Sequence, residues 1–270
     1  MNKSTRNTNR RHELFKEFED RGLVIVPAQT MEPLEELRDA IFTEAKGLLG
    51  AEDSDVEDFF NNFHKRELTS TALNDFRMDL IGCVNEKVDV GALIFSSVHD
   101  TLTNLFGPDI AAQKSINIVI HQPDDKNIPP VHRDGELTSN FGTVVWVPLV
   151  HCFGTKGVKI LDRKNSQKGA ELFLSDEKDS EAEFDRFVAR RWESVDMKFG
   201  QILIFWGPLL HDVPINTEGQ TRWALNHRYK NVFSPYDMHG IPDYYRVLEL
   251  SPLSRLGLEL EKERFAKELS

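Results

Sequence analysis

The hydrophobic period of this chain changes near residue 115, and that change limits what the chain can fold into. Ahead of it, Leu34, Leu37, Ile41, Ala45 and Leu48 recur at helical spacing within 32–49, with Pro33 tolerated in the first turn. Residues 12–20 carry Leu14, Phe15 and Phe18 on one helical face and stop near Gly22, and further helices are expected within 55–81 and 89–106. From Ser115 the pattern alternates: Ile116, Ile118 and Ile120 stand against Asn117, Val119 and His121. Such a strand packs its isoleucine face on the helices and turns the other face into a barrel. Gly142–Leu149, Gly157–Leu161, Met197–Phe205, Leu209–Pro214 and Arg222–Tyr229 read as further strands, separated by turn residues such as Gly200 and Asn216-Thr-Glu-Gly219. The order is helices, then strands, then a short helical tail.

At 270 residues and 40% hydrophobic, the chain can bury the core of one domain, and its 18 phenylalanines predict a well-filled interior. We expect a disordered tail over 1–11 and a single domain over 12–270: helical cover to about 110, a barrel core at about 115–232 and a C-terminal tail at 233–270. A net charge of −11 argues against nucleic acid or an anionic membrane as main partner. The first residues lack the apolar core of a signal peptide, and no apolar run is long enough to span a bilayer. Cys83 and Cys152 show neither metal-binding spacing nor a disulfide framework, which fits small buried hydrophobes in a reducing cytoplasm.

The chemistry concentrates in the strand region. In His132-Arg-Asp134, positions i and i+2 of an extended segment project to one side, so an imidazole and a carboxylate can grip one ion. His211 arrives from the short piece 209–214. Two imidazoles and one carboxylate can hold one face of a six-coordinate Fe(II), leaving three positions for a chelating co-substrate and O₂. Arg222 opens the next strand, and the hairpin returns it toward His211, where its guanidinium can pair with the distal carboxylate of a dicarboxylic co-substrate. Arg228 is its rival: an even offset puts both arginines on the same side of the strand.

This order of residues resembles the Fe(II)- and 2-oxoglutarate-dependent dioxygenases, specifically the phytanoyl-CoA dioxygenase-like branch. Arg21-Gly-Leu-Val-Ile-Val-Pro27 with Glu32-Pro-Leu-Glu-Glu-Leu-Arg-Asp-Ala-Ile41 is similar to that branch's opening strand and helix, and Phe199-Gly-Gln-Ile-Leu-Ile-Phe205 to its glycine-led strand before the distal histidine. The likeness spans roughly residues 13–232. Three shorter stretches, Asn74-Asp-Phe-Arg77-Met-Asp-Leu-Ile81, Trp146-Val-Pro-Leu149 and Leu248-Glu-Leu-Ser-Pro-Leu-Ser-Arg255, resemble oxygenases encoded in sporadic carbohydrate-biosynthesis clusters, relatives of aminoglycoside-pathway enzymes.

The resemblance implies a mainly β chain with flanking α, built on a double-stranded β-helix (jelly-roll) core covered by N-terminal helices. It implies Fe(II) on His132, Asp134 and His211, and 2-oxoglutarate anchored by Arg222, whose offset from His211 favours it over Arg228. It further implies O₂-dependent oxidation, with release of succinate and CO₂, of a C–H bond in a small molecule that is a carbohydrate or aminocyclitol. A ligand carboxylate at Asp134 argues against halogenation. Two departures stand out: Gly157-Val-Lys-Ile-Leu161 runs into Asp162-Arg-Lys-Asn165 without the branch's Pro-Gly-Ser-His-like turn, and Ala224 stands where a hydroxyl residue often follows the arginine.

Other candidates keep two readings. Asn117 either contacts co-substrate or substrate or satisfies backbone groups, and Trp146 lines the cofactor pocket or fills the core. His121 reads as an ordinary hydrogen-bonded histidine. The polar segment 175–191 is a solvated insertion or a lid. Leu253–Leu269 forms an amphipathic helix that caps the domain or meets a partner subunit, and the aromatic residues of 233–245 pack or stack on a sugar ring. The oligomeric state stays open. Two rival functions have the same barrel: a cupin-like sugar isomerase or epimerase, which would cluster several histidines in one motif, and a non-catalytic binding barrel, which would have no need of a complete ligand set.

Overall fold

The computed structural model describes residues 3–134, 139–174, 179–236 and 239–268, with side chains from Arg11 to Lys262. The start of the expected tail, residues 175–178 of the candidate lid, and Phe265 and Leu269 of the terminal helix therefore lie outside what is described. The first helix, α1, spans Lys3–Arg21, so the segment expected as a tail is helical from Lys3 onward. It is followed by strand β1 (Leu23–Pro27), α2 (Glu32–Leu49), α3 (Val56–Asn61), α4 (Ser70–Lys87), α5 (Val90–Ser97) and α6 (His99–Phe106). Their starts are set by short oxygen side chains: Asp55, Thr69 and Asp89 each accept a hydrogen bond from a backbone N–H of the first turn of α3, α4 and α5. Helix α2 buries Leu34, Leu37, Ile41 and Ala45 as their spacing predicts, but Leu48, one residue from its end, is 41% exposed.

The remaining elements are β2 (Ile110–Gln113), β3 (Asn117–His121), β4 (Gly142–Pro148), β5 (Val158–Ile160), α7 (Arg163–Phe173), α8 (Ser180–Ala189), β6 (Glu193–Val195), β7 (Gln201–Trp206), β8 (His211–Asp212), β9 (Arg222–Asn231), β10 (Tyr245–Glu249) and α9 (Pro252–Glu268). Seven strands form one antiparallel sheet in the order β1-β7-β4-β9-β2-β10, with β3 also on β9; a second sheet has the order β6-β5-β8. Strand β9 organises the large sheet. Along one edge β4 pairs with it from Gly142↔Lys230 to Pro148↔Ala224; along the other, β3 covers its first half and β2 its second.

Alternation then sorts the side chains of β9. Trp223 faces the helical cover, inside a cage of Phe59, Phe60, Phe63 and Phe76, with the Phe60 ring centroid 4.7 Å away. Tyr229, on the same face, donates its hydroxyl hydrogen to the carbonyl of Gly91 in α5 at 2.8 Å. A Cβ on Gly91 would meet His227 Nε2 at 3.0 Å, so the close approach of helix to sheet needs a glycine there. Arg222, Ala224, Asn226 and Arg228 face the other way, toward the small sheet. Contacts between Arg222 and Gly157, and between the Phe205 and His211 rings, join that face to the small sheet.

About 45% of the chain is helix and 22% strand, so the fold is mixed helix and antiparallel sheet rather than mainly β. Part of the excess lies in α7 and α8, inserted between β5 and β6. Asp162 caps α7 by accepting from Asn165 N–H at 2.7 Å, and α8 buries Phe184 and Val188 against Leu161 and Leu210. Ser166 in α7 stitches this insertion to the small sheet: its hydroxyl donates to Leu161 O and accepts from Leu210 N–H, both at 3.0 Å. The described part of the insertion thus buttresses the residue next to His211. Leu253, Leu256 and Leu260 of α9 stand exposed, and no described helix is long and apolar enough to cross a membrane.

Candidate metal centre

His132 and His211 are direct neighbours across an antiparallel bridge. Each backbone N–H donates to the other's carbonyl, at 3.2 and 3.1 Å, and the ring centroids lie 4.2 Å apart. Opposed residues in an antiparallel pair project to the same side, so the bridge itself aims both rings together. Asp134, two residues further on, is held by its backbone N–H on Gly207 O at 2.9 Å and is 6% exposed. Ligand atoms of His132, Asp134 and His211 all lie within 4.8 Å of one another.

The histidine tautomers follow from their neighbours. A carbonyl can only accept, so Nδ1–H of His132 donates to Pro130 O at 2.8 Å and Nδ1–H of His211 to Leu209 O at 3.0 Å. Each Nε2 then carries a lone pair toward the shared space, the usual arrangement for an oriented metal-binding imidazole. Burial pushes the His211 pKa down to about 4 against the pull of Asp134, so the ring is neutral and able to donate a lone pair near pH 7. Phe205 packs edge-on against it, with ring centroids 5.1 Å apart. The donor set, two imidazoles and a carboxylate from two separate segments, suits a first-row divalent ion.

The two arginines of β9 share a face but not a role. Arg228 forms an ion pair with Asp134, Nη2 to Oδ2 at 3.1 Å, and its Nη1 donates to Gln113 Oε1 at 3.1 Å and Tyr244 Oη at 3.2 Å. Burial, the largest effect, opposes its charge, yet Asp134 together with Tyr244 and Tyr245 outweighs it and the pKa is raised. Arg222 is 2% exposed and donates one bond, Nη1 to Gly157 O at 2.9 Å, while its Nε has no partner. Among the described residues no carboxylate pairs with it, and burial pushes its pKa down to about 10, leaving it charged at neutral pH. The nearby Cys152 thiol, raised to about 11 by burial, supplies no negative charge. A desolvated cation with an idle donor is costly, and an anionic ligand group would satisfy it. The residues present therefore fit a metal ion and a carboxylate-bearing co-substrate.

Trp146 and Asn117 sit on the same inward face, both opposite Asn226 in register, from β4 and β3 respectively. Trp146 is 4% exposed; Asn117 accepts a 3.4 Å bond from Arg77 Nη1 of α4. Buried and facing inward, His121 makes no hydrogen bond of normal geometry on either ring nitrogen among the described residues, with the Asp125 backbone close by. The ion pair of Arg228 with Asp134, and the reach of Tyr244 to it from just before β10, were not visible in the sequence; strand parity pointed to the face and not to the partner.

No family model matches the chain, and no curated protein matches its sequence. Solved structures do share its fold. The non-haem monooxygenase ThoJ, as a nickel complex, superposes with a TM-score of 0.53 at 17% identity, covering 89% of this chain and 85% of ThoJ. The epimerase SnoN in complex with Fe³⁺, α-ketoglutarate and nogalamycin RO gives 0.52 at 16% identity, over 90% of this chain and 96% of SnoN. The non-haem α-ketoglutarate-dependent carbocyclase SnoK from nogalamycin biosynthesis gives 0.51 at 16%, over 86% and 87%. At these identities the likeness is one of fold.

Proposed function

We propose that this chain is an Fe(II)- and 2-oxoglutarate-dependent oxygenase whose two sheets form a double-stranded β-helix core. One observation carries the reading: a complete His132, Asp134, His211 donor set accompanies a fully buried arginine that has no counter-ion among the described residues. His132 and His211 would bind iron through Nε2, and Asp134 through a carboxylate oxygen, with Arg228 holding the carboxylate in place. Arg222 would take the distal carboxylate of 2-oxoglutarate, with Trp146 and Asn117 as pocket members. When bound, iron and 2-oxoglutarate would supply the O₂-activating chemistry that oxidises a substrate C–H bond. The protein's own part is to orient these groups and to keep water from them, which the burial of Asp134, His211 and Arg222 serves.

For substrate we infer a small carbohydrate or aminocyclitol-like molecule in a cytoplasmic pathway. SnoN and SnoK, which share the fold, belong to nogalamycin biosynthesis, and here an aromatic pair borders the site: His239 stacks on Tyr244 at 4.4 Å, and Tyr244 contacts Arg228. Aromatic faces of this kind suit the apolar face of a sugar ring. The test is anaerobic addition of Fe(II) and 2-oxoglutarate. The reading predicts a weak metal-to-ligand charge-transfer band in the visible range; a sugar isomerase or a binding barrel would show none.

A further inference from the structure

The Arg222 end of the inward face of β9 carries a second buried donor group. His121, the last residue of β3, is paired in register with Arg222, the first of β9, so the two side chains leave the sheet on the same face as cross-strand neighbours. His121 is 4% exposed, and among the described residues neither its Nδ1 nor its Nε2 makes a hydrogen bond of normal geometry, although the Asp125 backbone lies close by. Burial, and after it the Arg222 guanidinium, bring its pKa down to about 4 against the pull of the Asp125 backbone and carboxylate, so near pH 7 the neutral ring offers one N–H. The next residues on this face, Val119 of β3 and Ala224 of β9, have no donor to offer. Asn216, itself fully buried, fixes both positions: its Nδ2 donates to His121 O at 3.2 Å and to Gln220 O at 2.7 Å, two residues before Arg222. A preorganised guanidinium and a preorganised imidazole therefore stand side by side on one buried face.

We propose that His121 is a binding residue for the co-substrate, donating its ring N–H to the same distal carboxylate that Arg222 holds. A carboxylate accepts several hydrogen bonds, and Arg222 has already committed Nη1 to Gly157, so a second donor completes the anchor. The inference rests on the 2-oxoglutarate reading above and goes beyond it in naming the residue that sets the preference for a dicarboxylic keto acid.

The test is an anaerobic titration of the Fe(II) protein, wild type and variants, with 2-oxoglutarate and with 2-oxobutyrate, which chelates iron in the same way but lacks the distal carboxylate. Binding is read from the charge-transfer band and needs no turnover. His121→Phe should weaken 2-oxoglutarate by roughly ten-fold or more, the scale of a hydrogen bond to a charged group, and leave 2-oxobutyrate unchanged. His121→Gln, which keeps an N–H, should recover most of the loss. The proposal is overturned if His121→Phe binds 2-oxoglutarate as tightly as wild type, or loses both keto acids in equal measure as a damaged fold would. If the wild type itself gives no band with either acid, the oxygenase reading fails and the role of His121 falls with it.

Discussion

Arg222 and Arg228 lie on one strand and one face, yet the protein treats them oppositely. Arg228 sits among Asp134, Gln113 and Tyr244, its charge answered within the fold. Arg222 sits deeper, with one backbone carbonyl and, among the described residues, no carboxylate; the Nε of both arginines is without a partner there. A fold that meant both residues to be structural would have paired both. On the proposed reading the difference gives β9 two devices: one end would steady a metal ligand, and the other would take an anion from outside.

The largest effect that tests this contrast is Asp134→Ala, which should abolish substrate-coupled succinate release, because it removes a metal ligand and strands Arg228 at once. Undiminished turnover would refute the ligand assignment. Next comes Arg222→Ala. Loss of a charge-assisted pair should raise the 2-oxoglutarate requirement by about 100-fold while metal affinity, measured by equilibrium titration of Mn(II), stays nearly constant.

Arg228→Met should show the opposite split. Removing a group that orients a metal ligand typically weakens metal binding by about ten-fold or more, and leaving Asp134 buried without its partner should cost about 3 kcal/mol in urea unfolding, with little change in the preference for 2-oxoglutarate over 2-oxobutyrate. Equal consequences for the two arginines would erase the comparison. The smallest effect is the most discriminating for Arg222: in the ligand-free protein Arg222→Met should be neutral or stabilising by about 1 kcal/mol, since an uncompensated buried charge gives way to an apolar chain. A clear drop in the ligand-free melting temperature would show that Arg222 has a structural partner after all.

How much of this was legible in the sequence depends on the range of the interaction. His132 and Asp134 were readable because strand geometry alone puts i and i+2 together, and the inward placement of Asn117 and Arg222 followed from period two. Strand parity could say that Arg222 and Arg228 share a side but not that Asp134 would stand opposite the second, since that depends on how residues 132–134 pack against β9. The bond from Gly207 to Asp134 and the bridge between His132 and His211 join segments far apart in the chain. The lack of a normal hydrogen bond on the His121 ring was equally hidden, because it is a property of the whole surroundings. Helix α7 was missed for a different reason: Arg163-Lys-Asn-Ser-Gln-Lys reads as a polar loop, and its buried contacts are the small residues Ser166 and Gly169, which give no hydrophobic stripe.

The most direct measurement is an anaerobic crystal structure of the protein with Mn(II) and 2-oxoglutarate. The account predicts one ion on Nε2 of His132, Nε2 of His211 and a carboxylate oxygen of Asp134, with the co-substrate's distal carboxylate on Arg222 and the Arg228 pair with Asp134 intact. An ion bound elsewhere, or a distal carboxylate seated on Arg228 with Arg222 left alone, would contradict it.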